Sequence, residues 1–240
     1  MIIAVRGIGW ATAAGMGRGR EGQPFAWPPG PLAPISRREV FPEPDQRFGR
    51  LDAYSKAGLA AVAFALRDAG LEDWREKRPI GIVAATVYGC LETDVAYFET
   101  VLPRGGGLPS PNLFAYTLPN SFLGEAAIRF GLTGPTFVVT DGDPSGLASL
   151  AAAAELLEAG ECATVVAGAC DVPPESWIGG AGPAVPPGAV FLVLGDGTGT
   201  DPAPHGELRL GAGGEIGYKG RSVESLAALA AACLDKERNA

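Results

Sequence analysis

The stretch GEAAIRFGLTGPTFVVTDGDPSGLASLAAAAELLEAGECATVVAGACD, from Gly124 to Asp171, determines the fold prediction. It begins inside a helix that Asn120 can cap and that ends near Phe130, because Gly131 suits the left-handed turn after a helix. Thr136 to Thr140 follows as a β-branched run, which is typical of a buried strand. The stretch therefore opens with a helix, a tight turn and a strand.

The same stretch continues into a second helix and a second strand. Pro144 suits the first turn of a helix, where a missing N–H group costs nothing, and Ala-rich sequence continues the helix to Gly160. Cys162 to Ala169 is predicted as a strand, and Asp171 to Pro187 as a loop. Strands and helices thus alternate along the chain.

The sequence before this stretch follows the same pattern. Ile2 to Trp10 is predicted as a first strand, and residues 15–46, rich in Gly and Pro, as a surface excursion. Asp52 to Ala69 has apolar residues at helical spacing, Ile80 to Thr86 is a strand, and Leu91 to Val101 is a helix. This order is typical of an α/β sheet.

The sequence after this stretch adds two strands and a helix. Ala189 to Leu194 is predicted as a strand, and Glu207 to Leu210 as a weaker one. Ser222 can cap a last helix of about 222–236, with apolar residues through Leu234. Residues 1–240 are therefore predicted as one α/β domain, with a sheet covered by helices on both faces.

Composition excludes several functional classes. A net charge of −8 over 240 residues disfavours nucleic-acid binding, which needs clustered Lys and Arg. No apolar run approaches the roughly 18 residues of a membrane span, and no secretory signal is recognised, so we expect a cytoplasmic protein. Four cysteines without CxxC spacing predict no metal site, and scattered glycines without a phosphate-binding motif predict no nucleotide cofactor.

The stretch from Gly124 to Asp171 resembles the β-ketoacyl synthase family. GLTGP at 131–135 matches a turn of that family, Ser145 and Gly146 match the small residues of its nucleophile elbow, and AGACD at 167–171 matches the turn after the next strand. RFGRLDAYSKAGLAAVAFALRDAGL, from Arg47 to Leu71, resembles the family's first long helix. The resemblance implies one half of a thiolase-like fold, a mixed sheet with helices on both faces.

The sequence departs from the family at its catalytic positions. The nucleophile in the family is a cysteine, and the matching position here is Asp143. A carboxylate is a poor acyl acceptor, because the product would be an anhydride that water destroys. The family's catalytic histidines and lysine lie in a C-terminal half without a counterpart here. The single histidine, His205, is expected to be a solvated loop residue.

Asp143 has two further interpretations. It could cap the helix that follows, since an Asp side chain accepts hydrogen bonds from the first N–H groups of a helix. Alternatively, Asp143 and Asp141 could form an acid/base pair, in which two nearby carboxylates raise one pKa. Such a pair would serve decarboxylation or hydrolysis of acyl thioesters.

The resemblance also indicates candidate binding and interface residues. Phe114, Tyr116 and Phe122 lie where the family has its acyl tunnel and subunit interface, although such aromatic residues also serve simply as packing. The strand from Thr136 to Thr140, with Phe137 and Val139, would pair across a two-fold axis, and Ser145 would lie beside the elbow. The implied partners are a second copy or a full-length ketosynthase, and also acyl carrier protein.

Three functional hypotheses follow. The first is a non-catalytic, chain-length-factor-like subunit in fatty-acid or polyketide-type acyl chain synthesis. The second is an enzyme that uses Asp143, and the third is a module that binds an acyl chain or carrier protein without chemistry. The thiolase-like fold packs two halves together, so a single half is also expected to expose an apolar surface, which the last helix would share.

Overall fold

The computed structural model describes residues 1–21, 24–174, 183–196, 202–211 and 215–235. The strands are β1 Ile2–Thr12, β2 Gly15–Arg18, β3 Ile80–Thr86, β4 Thr136–Thr140, β5 Thr164–Asp171, β6 Gly188–Gly195, β7 Gly206–Leu210, β8 Ile216–Tyr218 and β9 Arg221–Ser222. The helices are α1 Arg37–Val40, α2 Ala53–Asp68, α3 Leu91–Val101, α4 Pro111–Phe114, α5 Ser121–Phe130, α6 Leu147–Glu158 and α7 Leu226–Leu234.

All nine described strands belong to one mixed sheet. They lie in the order β4-β3-β5-β6-β1-β7-β8-β9, and β2 pairs with β1. β3 runs parallel to β4 and β5, whereas β6 runs antiparallel to β5 and β1. Among the described residues β4 pairs only with β3, so it forms one edge of the sheet. Its residues are exposed or half-buried, so the prediction of a buried strand is wrong there.

Helices cover both faces of this sheet. α2 and α5 bury Leu66 and Phe122 on one face, in a cluster that also contains Phe191 of β6. α6 and α7 bury Leu150 and Leu226 on the other face. The prediction of an α/β fold with a mixed sheet between two helical layers is therefore confirmed.

Two glycines of β1 allow α2 to lie directly on the sheet. A Cβ atom at Gly9 would be 2.2 Å from the backbone nitrogen of Ala65, and one at Gly7 would be 2.4 Å from the Ala65 oxygen. Any larger residue at either position would therefore clash with the helix backbone. This contact explains why the first strand carries the sequence RGIGW.

Most element bounds agree with the prediction. β3, α3 and β4 have the predicted bounds, and α2, α5 and β6 differ from theirs by one residue at each end or less. β1 extends to Thr12, because its end pairs with both β2 and β6. β5 runs to Asp171, so the loop predicted from Asp171 begins one residue later, and its residues 175–182 lie outside the described part.

The Gly- and Pro-rich excursion at 15–46 is more ordered than predicted. Gly15–Arg18 forms β2, and Arg37–Val40 forms the short helix α1. Val40 and Phe41 are fully buried, and the Phe41 ring contacts Phe48 and Phe130. The prediction of a surface excursion is therefore wrong around Val40 and Phe41.

Two predicted helix starts are also wrong. α6 begins at Leu147 rather than at Pro144, because Gly146 has a positive φ of 71° and interrupts the helical backbone. Ser222 pairs with Gly217 in the sheet, and Ser225 caps α7 instead by accepting a hydrogen bond from the Ala228 N–H at 3.1 Å. None of the described helices is long and apolar enough to cross a membrane.

Candidate functional site

The turn between β4 and α6 contains Asp143, the residue that the sequence resemblance matches to the family nucleophile. Asp141 Oδ1 accepts a hydrogen bond from the Asp143 N–H at 3.0 Å. The Asp143 carboxylate in turn accepts from the Ser145 N–H at 2.9 Å and from the Ser145 hydroxyl at 2.6 Å. Two consecutive Asp side-chain turns therefore hold this elbow.

The structure does not support Asp143 as a helix cap. The residue before α6 is Gly146, which makes no side-chain cap, and the Asp143 carboxylate binds Ser145 instead of an N–H group within the helix. The N-cap interpretation is therefore wrong. Asp143 stabilises the turn that precedes the helix.

The electrostatics of the elbow argue against a proton shared by Asp141 and Asp143. Hydrogen bonds from the Ser145 hydroxyl and N–H lower the pKa of Asp143 below its ordinary value. Asp143 is almost fully exposed to solvent, so water also stabilises the charged form. A general acid at neutral pH needs the opposite shift. Asp143 is thus a stable carboxylate.

The start of α7 packs against the same elbow. The Leu226 N–H donates to the Ser145 carbonyl oxygen at 2.8 Å. A Cβ atom at Gly146 would lie 3.0 Å from the Ala169 Cβ and 3.3 Å from the Leu226 Cβ. The chain's own last helix therefore covers one side of the turn, and no local sequence pattern indicates this contact.

Three cavities of the structure lie away from Asp143. Three cavities of about 420, 430 and 310 Å³ border residues 44–51 with 125–129, residues 218–232, and residues 1–3 with 157–163 and 195–196. No residue of the elbow, residues 141–146, lines any of the three cavities. None of these three cavities therefore leads to Asp143.

Comparison with known proteins identifies the family. A model of the β-ketoacyl synthase N-terminal domain matches residues 37–182. The chain belongs to this family. A putative polyketide β-ketoacyl synthase 2 of Streptomyces virginiae is 31% identical over 211 residues, which cover 78% of this chain and 50% of that protein. A 3-oxoacyl-[acyl-carrier-protein] synthase 2 of Vibrio cholerae is 28% identical over 123 residues, 51% of this chain and 30% of that protein.

Solved structures show the same fold. The ishigamide ketosynthase/chain length factor matches with a TM-score of 0.68 at 17% identity, covering 87% of this chain and 66% of its own. The ketosynthase ApeO in complex with its chain length factor ApeC, from Xenorhabdus doucetiae, matches with a TM-score of 0.53 at 23% identity, covering 70% and 66%. The predicted thiolase-like fold is confirmed. The ketosynthase-like chain spans half the length of the curated Streptomyces relative.

His205 is held inside the structure of this ketosynthase-like chain. Its Nε2 atom lies 2.6 Å from Asp68 Oδ2, and its side chain is 11% exposed. Asp68 also accepts hydrogen bonds from the N–H groups of Ile8 and Arg20. The expectation of a solvated loop histidine is wrong, because a buried carboxylate at the end of α2 binds the ring.

The four cysteine thiols of the ketosynthase-like chain are unsuited to nucleophilic attack. All four are buried. Burial raises the pKa of Cys90 to about 12 and that of Cys233 to about 11, and it also raises the pKa values of Cys162 and Cys170. Because the thiolate is the reactive form, none of these side chains replaces the family nucleophile.

The structure separates the three aromatic candidates. Phe122 is fully buried, with its ring centroid 5.4 Å from that of Tyr54 and 6.0 Å from that of Phe191, so it serves as core packing. Phe114 is 62% exposed, and its ring contacts Tyr97. Tyr116 is half-buried against the core on the α2 side. The Phe114 ring is therefore accessible to a partner, whereas the Phe122 ring is not.

The edge strand β4 exposes backbone as well as side chains. The Ile82 N–H donates to the Pro135 oxygen, which sets the hydrogen-bond register between β3 and β4. Alternate residues of β4 direct their N–H and C=O groups toward β3. The N–H group of Val138, an intervening residue, therefore points away from β3. Phe137 is 36% exposed and Val139 is half-buried. Such an edge is a ready template for another strand.

Asp171 organises the turn that leads from β3 into α3. Its carboxylate accepts hydrogen bonds from the Thr86 hydroxyl at 2.8 Å and from the N–H groups of Tyr88 at 2.7 Å and Val87 at 3.0 Å. Burial raises the pKa of Asp171, although these hydrogen bonds oppose the shift. The sequence marked Asp171 only as a family match, because its donors lie more than 80 residues away.

Proposed function

We propose that this chain is a non-catalytic, ketosynthase-like subunit that assists a catalytic ketosynthase in fatty-acid or polyketide-type acyl chain synthesis, as a chain length factor does. The observation that carries the proposal is the elbow. The nucleophile position holds an exposed carboxylate whose pKa is lowered, and a helix of the same chain packs beside it. The family scaffold is kept while its reactive group is replaced.

The chemistry of the described residues favours this proposal over catalysis by Asp143. Asp143 cannot hold an acyl group against water, and its lowered pKa removes it as a general acid at neutral pH. His205 binds Asp68, and the cysteine thiols are buried. Transfer of an acyl group would therefore take place on a partner.

The partner that we propose is a full-length ketosynthase, which pairs with β4. Two of the similar solved structures are described as a ketosynthase with a chain length factor, which supports a heterodimer over a homodimer. Within the described part of the chain, β4 offers backbone groups that no other strand pairs with, and Phe137 adds apolar area beside them. Acyl carrier protein would then meet the partner's active site.

The experiment that tests this function compares acyl products in cells with a ketosynthase of the same host. The Asp143→Ala variant is expected to give the same products in the same amount, because the carboxylate does no chemistry. Ser145→Ala is the matched control, since it removes the side chain that binds Asp143. Loss of product with Asp143→Ala at unchanged protein level and complex formation would contradict the proposal and assign a chemical role to Asp143.

A further inference from the structure

A cavity of about 430 Å³ lies between the β8–β9 hairpin and α7. Lys219 and Gly220 form the hairpin turn with φ values of 48° and 76°, and the Val223 N–H donates to the Ile216 oxygen at 2.9 Å. Ser225 caps the helix that forms the other wall. Hydrogen bonds within the chain therefore hold both walls.

The wall on the helix side is apolar and made of small residues. Ala228 and Ala232 line the cavity, with Leu229 beside them and Val223 at the end of the hairpin. Protein interiors are close-packed, and cavities of about 300–1,000 Å³ are the usual size of small-molecule sites. Two alanines leave open a space that larger side chains would fill.

The opposite wall carries positive charge. Lys219 and Arg221 line the cavity together with one acidic residue, Glu224. This local excess of positive charge occurs in a chain whose net charge is −8. A guanidinium group presents its N–H donors in a fork that matches a carboxylate. The lining therefore combines an anion-binding side with an apolar side.

The position of this cavity separates it from the partner surface. β8 and β9 lie at the opposite edge of the sheet from β4. None of the lining residues belongs to the elbow or to β4. Occupation of the cavity and strand pairing at β4 can therefore be tested with separate variants.

We propose that this cavity binds an unbranched aliphatic monocarboxylate, with its carboxylate at the Arg221 guanidinium and its alkyl chain along Ala228 and Ala232. The charged wall orients the anion, and the apolar wall buries the chain. An alcohol of the same length lacks the charge, and acetate lacks the chain. Both therefore bind more weakly than a medium-length carboxylate.

The test is calorimetric titration of the full chain with octanoate, with octan-1-ol and acetate as comparison ligands. Octanoate is expected to bind saturably and more tightly than either. Arg221→Gln is expected to weaken octanoate binding about three- to fivefold, the effect of losing a partly exposed ion pair. Arg209→Gln is the control, because Arg209 is exposed on β7 and does not line the cavity.

A second pair of variants tests the apolar wall. Ala228→Phe places a ring in the cavity and is expected to weaken octanoate binding more than about tenfold. Ala231→Phe adds the same ring at an exposed α7 position that does not line the cavity, and should leave binding unchanged. Both positions are exposed, so both variants should fold. Absence of saturable octanoate binding, equal binding of octan-1-ol, or full binding by Ala228→Phe would overturn the proposal.

Discussion

Two surfaces of this chain differ in what they leave exposed. On α6 and α7 the exposed residues are alanine and glutamate: Ala151, Glu155, Glu158, Ala228 and Ala231. The α3–α4 segment, residues 91–119, and β4 instead expose large apolar side chains: Val95, Phe98, Leu102, Leu108, Phe114, Leu118 and Phe137. Exposed apolar side chains supply the area that protein interfaces bury. A partner that covers the second surface would therefore bury more apolar area than one that covers α6 and α7.

This difference corrects the expectation of an apolar face left open by a single half. α7 buries Leu226, Leu229 and Cys233 against the chain's own sheet and so needs no further surface for them. No α6 or α7 residue is among the exposed large apolar side chains of the described part of the chain. Most of the exposed large apolar side chains of the described residues lie instead in the α3–α4 segment and on β4.

The largest effect is expected from the α7 side. Leu229→Ala removes a side chain that is 2% exposed and should lower the free energy of unfolding by about 3 kcal/mol, because it leaves a cavity. The measurement is urea unfolding. The folded fraction should still bind the partner with normal affinity. A stability change as small as that of Ala231→Gly, at an exposed position, would show that α7 is not part of the core.

A smaller loss of stability is expected at the turn between β3 and α3, where Asp171 connects the α3–α4 segment to the core. Asp171→Ala should lower the free energy of unfolding by about 2 kcal/mol, because it leaves the Thr86 hydroxyl and two N–H groups without their acceptor. The α3–α4 segment should also exchange amide hydrogens faster. Unchanged exchange in that segment would mean that Asp171 does not hold it.

Sequence patterns predicted the strands and helices whose stability is local. β3, α3 and β4 have clear β-branched or helical patterns and the predicted bounds. The position of the elbow is predicted correctly, but its hydrogen bonds are not, because the positive φ of Gly146 delays the helix that the sequence predicts from Pro144. Contacts between distant residues, such as Asp68 with His205 and Ser145 with Leu226, leave no local pattern.

A replacement on the partner surface should affect binding rather than folding. Phe98→Ser changes a side chain that is 57% exposed, so the free energy of unfolding should change by less than about 0.5 kcal/mol. Affinity for the ketosynthase should fall about tenfold, because a complex that uses this surface buries the ring. Glu155→Ser on exposed α6 is the control. Equal affinities for the two variants would place the interface elsewhere.

The smallest effect concerns the elbow carboxylate. Because hydrogen bonds from Ser145 lower the pKa of Asp143, this carboxyl should titrate below the ordinary range of Asp. The small stability that these bonds contribute is present above the unfolded-state pKa and is lost as pH falls through the folded one. Ser145→Ala should raise the pKa, as carboxyl NMR titration would show. A pKa of Asp143 above the ordinary range of Asp would contradict this account and support the hypothesis of an acid/base pair with Asp141.

Native mass spectrometry of the chain co-purified with a ketosynthase of its host tests the central claim most directly. Val138→Pro removes the outward N–H of β4 while leaving the bonds to β3, and Val138→Ala controls for the lost packing. We predict a stable heterodimer for the unchanged chain and for Val138→Ala, and none for Val138→Pro. A chain that forms no complex with the ketosynthase, or a Val138→Pro complex of unchanged stability, would contradict the account.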